Sequence, residues 1–202
     1  MPQYLKESLH KFQHPVPQNP QEEPHSWNRP TYGTAVQYYA NDDISRFLPT
    51  KSITMIQNIF ETLLYYGIAV DSTMLVSLGS IASKQSKATE KKYEEALWIL
   101  NYAASHPDAT IRYRASNMVL YTHSDASYLS KSRARSCVGG HYFLSDRSSN
   151  PPFPPRTNTT LNGPIFTISK IVSNVMASSV KAKIGATFVN GQEIVPIRIT
   201  LR

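Results

Sequence analysis

The run Leu120-Tyr-Thr-His-Ser-Asp-Ala-Ser-Tyr128 carries one carboxylate, Asp125, from an apolar strand into a stretch of small residues. An acid placed this way is how several phosphoryl-transfer sites begin, with oxygen ligands fixing two divalent cations beside the reacting phosphate. Two hard cations need a cluster of carboxylates to neutralise them. Downstream of Asp125 the only acids are Asp146 and Glu193. The segment that should face it, Ser178-Ser-Val-Lys-Ala-Lys-Ile-Gly185, has Lys181 and Lys183 where acids would be expected. Asp125 is expected to be a vestigial, weak metal ligand, an acid at a strand end held by nearby backbone N–H groups.

Other reactive residue types make less of a pattern. His123, Ser124 and Asp125 are the types of a nucleophilic triad, but neighbours on a strand point to opposite faces and cannot relay a proton. His10, His14 and His25 lie in a segment with no evident scaffold for a metal. Lys131, Arg133 and Arg135 alternate with Ser132 and Ala134. They could contact phosphates from a loop or strand edge, or form a solvated basic loop. Tyr113, Tyr121, Tyr128 and Tyr142 could stack on bases, or pack a sheet. Cys137 is the single cysteine, so no internal disulfide is available and nothing beside it has zinc spacing.

Charge divides the chain. Residues 1–125 carry 11 Lys/Arg against 12 Asp/Glu, whereas residues 126–202 carry 10 against 2. The basic end points to a polyanionic partner; charge drift in an unselected sequence would leave the same balance. No run approaches the apolar length of a membrane span, so no membrane partner is expected. The start Met1-Pro-Gln-Tyr-Leu-Lys-Glu lacks a signal-peptide layout, which predicts a cytoplasmic or nuclear protein that is not secreted. Asn158-Thr-Thr160 matches a glycosylation acceptor without a route that would use it.

These residues need elements to position them. Residues 1–50 are rich in Pro, Gln, His and Asn and read as extended, with one short helix at Tyr4–Phe12. From Pro49-Thr50 a helix follows the stripe Ile56, Ile59, Phe60, Leu63 and Leu64, and Gly67 should end it. Asp71 or Ser72 caps a second helix from Thr73 to about Ser83, with Leu75, Leu78, Gly79 and Ala82 on one face. Thr89 caps a third, Glu90 to Ser105, burying Tyr93, Ala96, Leu97, Leu100 and Ala104. Residues 51–107 thus form a small helical bundle. The period then falls to two. Thr110–Arg114 and Met118–Thr122 read as strands around a turn at Ala115–Asn117, with further strands at Cys137–Leu144 and Pro164–Ile171. The proline-rich stretch between Asp146 and Thr160 is a long loop. Ser178 or Ser179 caps a helix to about Val189, Gly191 ends it, and Glu193–Arg202 forms a separate helix. The fold class is α+β.

Several phrases resemble the polyprotein of copia-type long-terminal-repeat retrotransposons. Ile56-Gln-Asn-Ile-Phe-Glu-Thr-Leu-Leu-Tyr-Tyr66 is similar to the family's V-G-x-L-L-Y segment. Ala96-Leu-Trp-Ile-Leu-Asn-Tyr102 is similar to its I-L-x-Y-L helix end. His123-Ser-Asp-Ala-Ser-Tyr128 resembles its S-D-A-D ribonuclease H start, and Gly139-Gly-His-Tyr-Phe143 its G-x-x-x-F strand. Ser178–Phe188 occupies the place of its S-S-T-E-A-E-Y helix. The five phrases occur in the family's order over most of the chain.

The resemblance implies the end of a reverse transcriptase, a connection, and an incomplete ribonuclease-H-like antiparallel sheet over residues 108–202 with one or two helices. The family's nuclease cleaves the RNA strand of an RNA–DNA hybrid with two Mg²⁺ ions, and its partners include the rest of the polyprotein. Asp125 falls on the first metal ligand. Lys183 falls on the family's glutamate and Lys181 on the acid two residues earlier, while the later aspartates would lie beyond Arg202. A cation about 4 Å from a divalent metal repels it by several kcal/mol even at an effective dielectric of 20. Tyr39-Ala-Asn-Asp-Asp43 has one residue too many between tyrosine and acids for the polymerase pair, which would precede Met1; it reads as a solvated turn. The sequence therefore predicts a degenerate, inactive fragment that binds no metal, in a sheet with an exposed edge. The alternatives are a non-catalytic RNA or hybrid-binding module using Lys131, Arg133, Arg135, Lys181 and Lys183, or a helical interaction scaffold on residues 50–105.

Overall fold

The computed structural model describes residues 2–26, 43–131, 135–147 and 161–201. The chain separates into two units, Met1–Thr110 and Ile111–Arg202. Among the described residues the architecture is mixed, with five α-helices and one three-stranded antiparallel sheet. Among the described residues no helix is long and apolar enough to cross a membrane.

The first unit is helical: α1 (Pro2–Lys11), α2 (Thr50–Ala69), α3 (Leu75–Ala82) and α4 (Glu90–Ser105). Ile56, Ile59, Leu63 and Tyr66 recur at helical spacing on α2 and are buried with Leu78 and Ile81 of α3 and Ala96, Ile99 and Leu100 of α4. Each fully buried aliphatic side chain here contributes about 1.5–3 kcal/mol. On α4 the buried set is one position round from the expected one, taking in Ile99, Tyr102 and Ala103 in place of Leu97 and Ala104. α2 does not stop at Gly67. That glycine lies inside the helix at the α3 contact, where an added Cβ would stand 3.2 Å from Leu78 Cδ1. The second helix opens as a single 3₁₀ turn, Ser72–Met74, capped by the Asp71 carboxylate, which accepts from Thr73 N.

The proline-rich stretch after α1 is extended yet held. Leu5 of α1 is fully buried in the same core, and Tyr4 donates its hydroxyl hydrogen to Thr62 O at 2.9 Å. Further along, Gln21 N donates to Ser105 Oγ, Trp98 Nε1 to Glu23 O, and Ser77 Oγ to Pro24 O. His14 therefore has a structural setting, 2.8 Å from Asn101 Oδ1. Asp43, the described end of the Tyr39–Asp43 run, also has one. Its carboxylate accepts from Ser45 N, Ser45 Oγ and Thr89 Oγ1, joining the chain before α2 to the start of α4. Partial desolvation pushes its pKa up, but those hydrogen bonds outweigh it and hold the group down at about 2. Tyr39–Asp42 lie outside the described residues.

The second unit is a meander, β1 (Val119–Lys131), β2 (Arg135–Ser145) and β3 (Pro164–Ile171), followed by α5 (Ser179–Thr200). The expected strand at Thr110–Arg114 is absent. Residues 113 and 114 are instead fastened by Asn162, whose side-chain amide bonds Arg114 N and Arg114 O at 2.8 Å each, and by the Tyr113 hydroxyl donating to Pro164 O. Met118 has φ 59°, a left-handed conformation that interrupts extended backbone just before β1. β1 does not end at Thr122 but runs on through the small residues Ser124–Ser127, with Ser124 and Asp125 paired with Gly140 and Gly139. α5 likewise runs through Gly191 and Pro196 as one helix rather than two. The Asn158–Thr160 acceptor lies outside the described residues.

Candidate nucleic-acid interface

The geometry of the second unit starts from Asn190, which is buried and ties α5 to the sheet. Its Nδ2 is a donor to Ser124 Oγ at 2.9 Å, Gly139 O at 3.1 Å and Ala186 O at 2.9 Å. Its Oδ1 accepts from the Tyr142 hydroxyl at 2.6 Å. Burial, with Glu193 nearby, pushes that phenol up to about 12. Ala186 and Ala182, one and two turns earlier, complete the buried face of α5. The approach depends on Gly140, where a Cβ would lie 1.8 Å from Asn190 Oδ1. Nothing in the sequence singles out Asn190 by motif. The available signal was an amide spaced i, i+4, i+8 with two alanines on a helix, in a chain whose strand carries Gly139-Gly140.

Ser124 faces α5, so Asp125, one residue on, projects from the other face of the sheet. It is exposed there, and the positions flanking it on that face are His123, Ser127, Gly139 and His141. His141 is a half-buried imidazole whose pKa is lowered, first by burial and then by His123. Lys181 and Lys183 are exposed on α5, across the sheet from Asp125. The structure therefore does not bring Asp125 together with Lys183. The donor set does not fit a pair of divalent cations either, since imidazoles and hydroxyls surround one carboxylate. Among the described residues no group of three or more His, Cys, Asp or Glu could hold a metal. The triad types are split as well, with Ser124 on one face and His123 and Asp125 on the other.

The basic residues, by contrast, converge. β1 and β2 extend to the cross-strand pair Lys131 and Arg135, with Arg133 between them outside the described residues. At that same end the chain leaves β3, where Val172 N donates to Ser136 O at 2.9 Å. It turns and enters α5 at Ser178, whose hydroxyl accepts from Lys181 N at 3.1 Å. The helix then returns along the sheet to reach Ser124 three turns later. Lys131, Arg135, Lys181 and Lys183 thus share one end of the unit, with exposed Lys170 near the end of β3. The amino-terminal end of α5 adds its own positive potential there. The tyrosines contribute little open ring surface. Tyr142 is fully buried, and Tyr121 stacks on Phe143 at 5.7 Å, so Tyr113 is the exposed one apart from half-buried Tyr128.

A scan against protein families, a search of curated proteins and a search of solved structures each found no match.

Proposed function

We propose that this chain is a non-catalytic segment of a copia-type retrotransposon polyprotein, with an incomplete ribonuclease-H-like second unit that contacts RNA or an RNA–DNA hybrid through phosphates. The observation that carries the reading is the convergence of Lys131, Arg135, Lys181 and Lys183 at one end of that unit. Support for the family comes from the five phrases in order and from the strand, strand, strand, helix succession that follows the helical unit. Against catalysis stands Asp125, alone on the face away from α5, with lysines in place of the helix acids.

Cations clustered on one surface raise the local potential and bind phosphates without reading sequence. The decisive experiment is anisotropy of a labelled hybrid titrated with the full chain over a range of salt. Each phosphate contact contributes a slope of about −0.7 to −0.9 in log affinity against log salt. Lys181→Gln and Lys183→Gln are each expected to weaken binding of all sequences alike and to reduce the slope by about one. A slope unchanged by these variants and by Arg135→Gln would refute the interface. Incubation of the hybrid with Mg²⁺ and then Mn²⁺ tests the other half: no cleavage is expected, and cleavage abolished by Asp125→Asn would overturn the non-catalytic reading.

A further inference from the structure

α5 is apolar on two sides. Ala182, Ala186 and Asn190 face the sheet, while Val180, Ile184, Phe188, Val195 and Ile199 are 57 to 68 % exposed. At 100° per residue these five lie about 170° round the helix from the buried set, so they form one outward stripe. The stripe repeats every 11 residues, from Val180 to Gly191, Ile184 to Val195 and Phe188 to Ile199. Such a repeat runs nearly straight along a helix.

The stripe is also symmetric about its midpoint. Val180 and Ile199 stand equally far from the centre, as do Ile184 and Val195, and Phe188 and Gly191. Gly191 has no neighbour within 4 Å of where a Cβ would lie, so it is an open recess beside the largest side chain of the stripe. A helix with this pattern is complementary to itself when turned end for end. Phe188 of each copy then enters the recess over Gly191 of the other, and Ile184 meets Val195. A parallel pair would oppose Phe188 to Phe188 and leave the two glycines facing a void.

We infer that a second copy of this chain packs on the outer face of α5, antiparallel, about a two-fold axis at the centre of the stripe. A two-fold contact of this kind is closed and uses one patch twice. Five half-exposed or better apolar side chains offer on the order of 500 Å² per copy, about 1,000 Å² for the pair, which reaches the lower bound of a specific interface. The same axis sets Lys181 opposite Arg198, so the dimer is strengthened by salt, the reverse of a phosphate contact.

Sedimentation equilibrium of the nuclease-treated full chain is expected to show a monomer–dimer equilibrium at micromolar concentration that tightens with salt. Phe188→Glu should raise the dissociation constant at least about tenfold. Orientation is read by disulfide mapping in a Cys137→Ser background. A mixture of Ile184→Cys and Val195→Cys chains should cross-link to each other. Ile184→Cys alone should not, since in the antiparallel pair its two copies stand about 16 Å apart along the axis. The cysteine arm needs no charged substitution and reads the contact even where Phe188→Glu disturbs folding. A chain that stays monomeric at all concentrations, or a self-linking Ile184→Cys, overturns the proposal.

Discussion

Asn190 and Gly140 form the residue pair on which the second unit depends. A buried amide that uses both its donors and its acceptor cannot be shortened without leaving partners unsatisfied. Asn190→Ala is expected to destabilise the chain by about 2–3 kcal/mol in chemical denaturation, and Gly140→Ala by about 1–3 kcal/mol through overpacking. Equal midpoints for wild type and both variants would show that α5 does not dock through this contact. His141 makes a prediction about pH. Its folded pKa lies below the ordinary value near 6.5, so the unfolded chain takes up more protons as pH falls. The stability it contributes is complete above the unfolded pKa and is lost as pH falls toward the folded one. Denaturation midpoints at pH 7.5 and pH 5.5 should fall less in His141→Gln than in wild type. Neither role could be read from the chain, since Asn190 matters through a glycine fifty residues away and His141 through a strand partner.

Elements were legible where a cap or a proline agrees with the periodicity. α5 begins after Ser178, whose hydroxyl caps it, α4 ends before Pro107, and β3 opens at Pro164, because several local signals coincide there. α4 does begin after Thr89, but the Thr89 side chain does not cap it, since its hydroxyl donates to Asp43 instead. Elements were misread where one local signal was set against packing. Gly67, Gly191 and Pro196 are all poor helix residues, yet α2 and α5 pass through them because each helix has a surface to lie on. Pro196 has no N–H to give Gln192 O, so it weakens the last turns of α5. Pro196→Ala should stabilise the chain by about 1–3 kcal/mol and add helical signal in circular dichroism. An unchanged melting temperature would mean that the helix past Gln192 is already frayed. The apparent strand at Thr110–Arg114 failed for the opposite reason. Its side-chain period is right, but Asn162 supplies its hydrogen bonds in place of a ladder.

At the scale of the molecule, the division of charge along the sequence coincides with the division into units. The helical unit holds most of the acids, and the second unit has three, Asp125, Asp146 and Glu193. The candidate site was half legible. Its residue types were evident, but only the order β1, β2, β3, α5 puts Lys181 and Lys183 at the end where Lys131 and Arg135 stand. The same order separates Asp125 from α5, which spacing alone could not show.

The burial of Leu5 carries a consequence in time. The residue sits at the start of the chain, yet its core is completed by Ile99 and Leu100 of α4. On the ribosome, roughly 100 residues must be added after Leu5 before that surface exists, about 5–20 s at ordinary elongation rates. α1 is therefore made well before the helix that completes its core, and during that interval its apolar face is open to whatever meets a nascent chain.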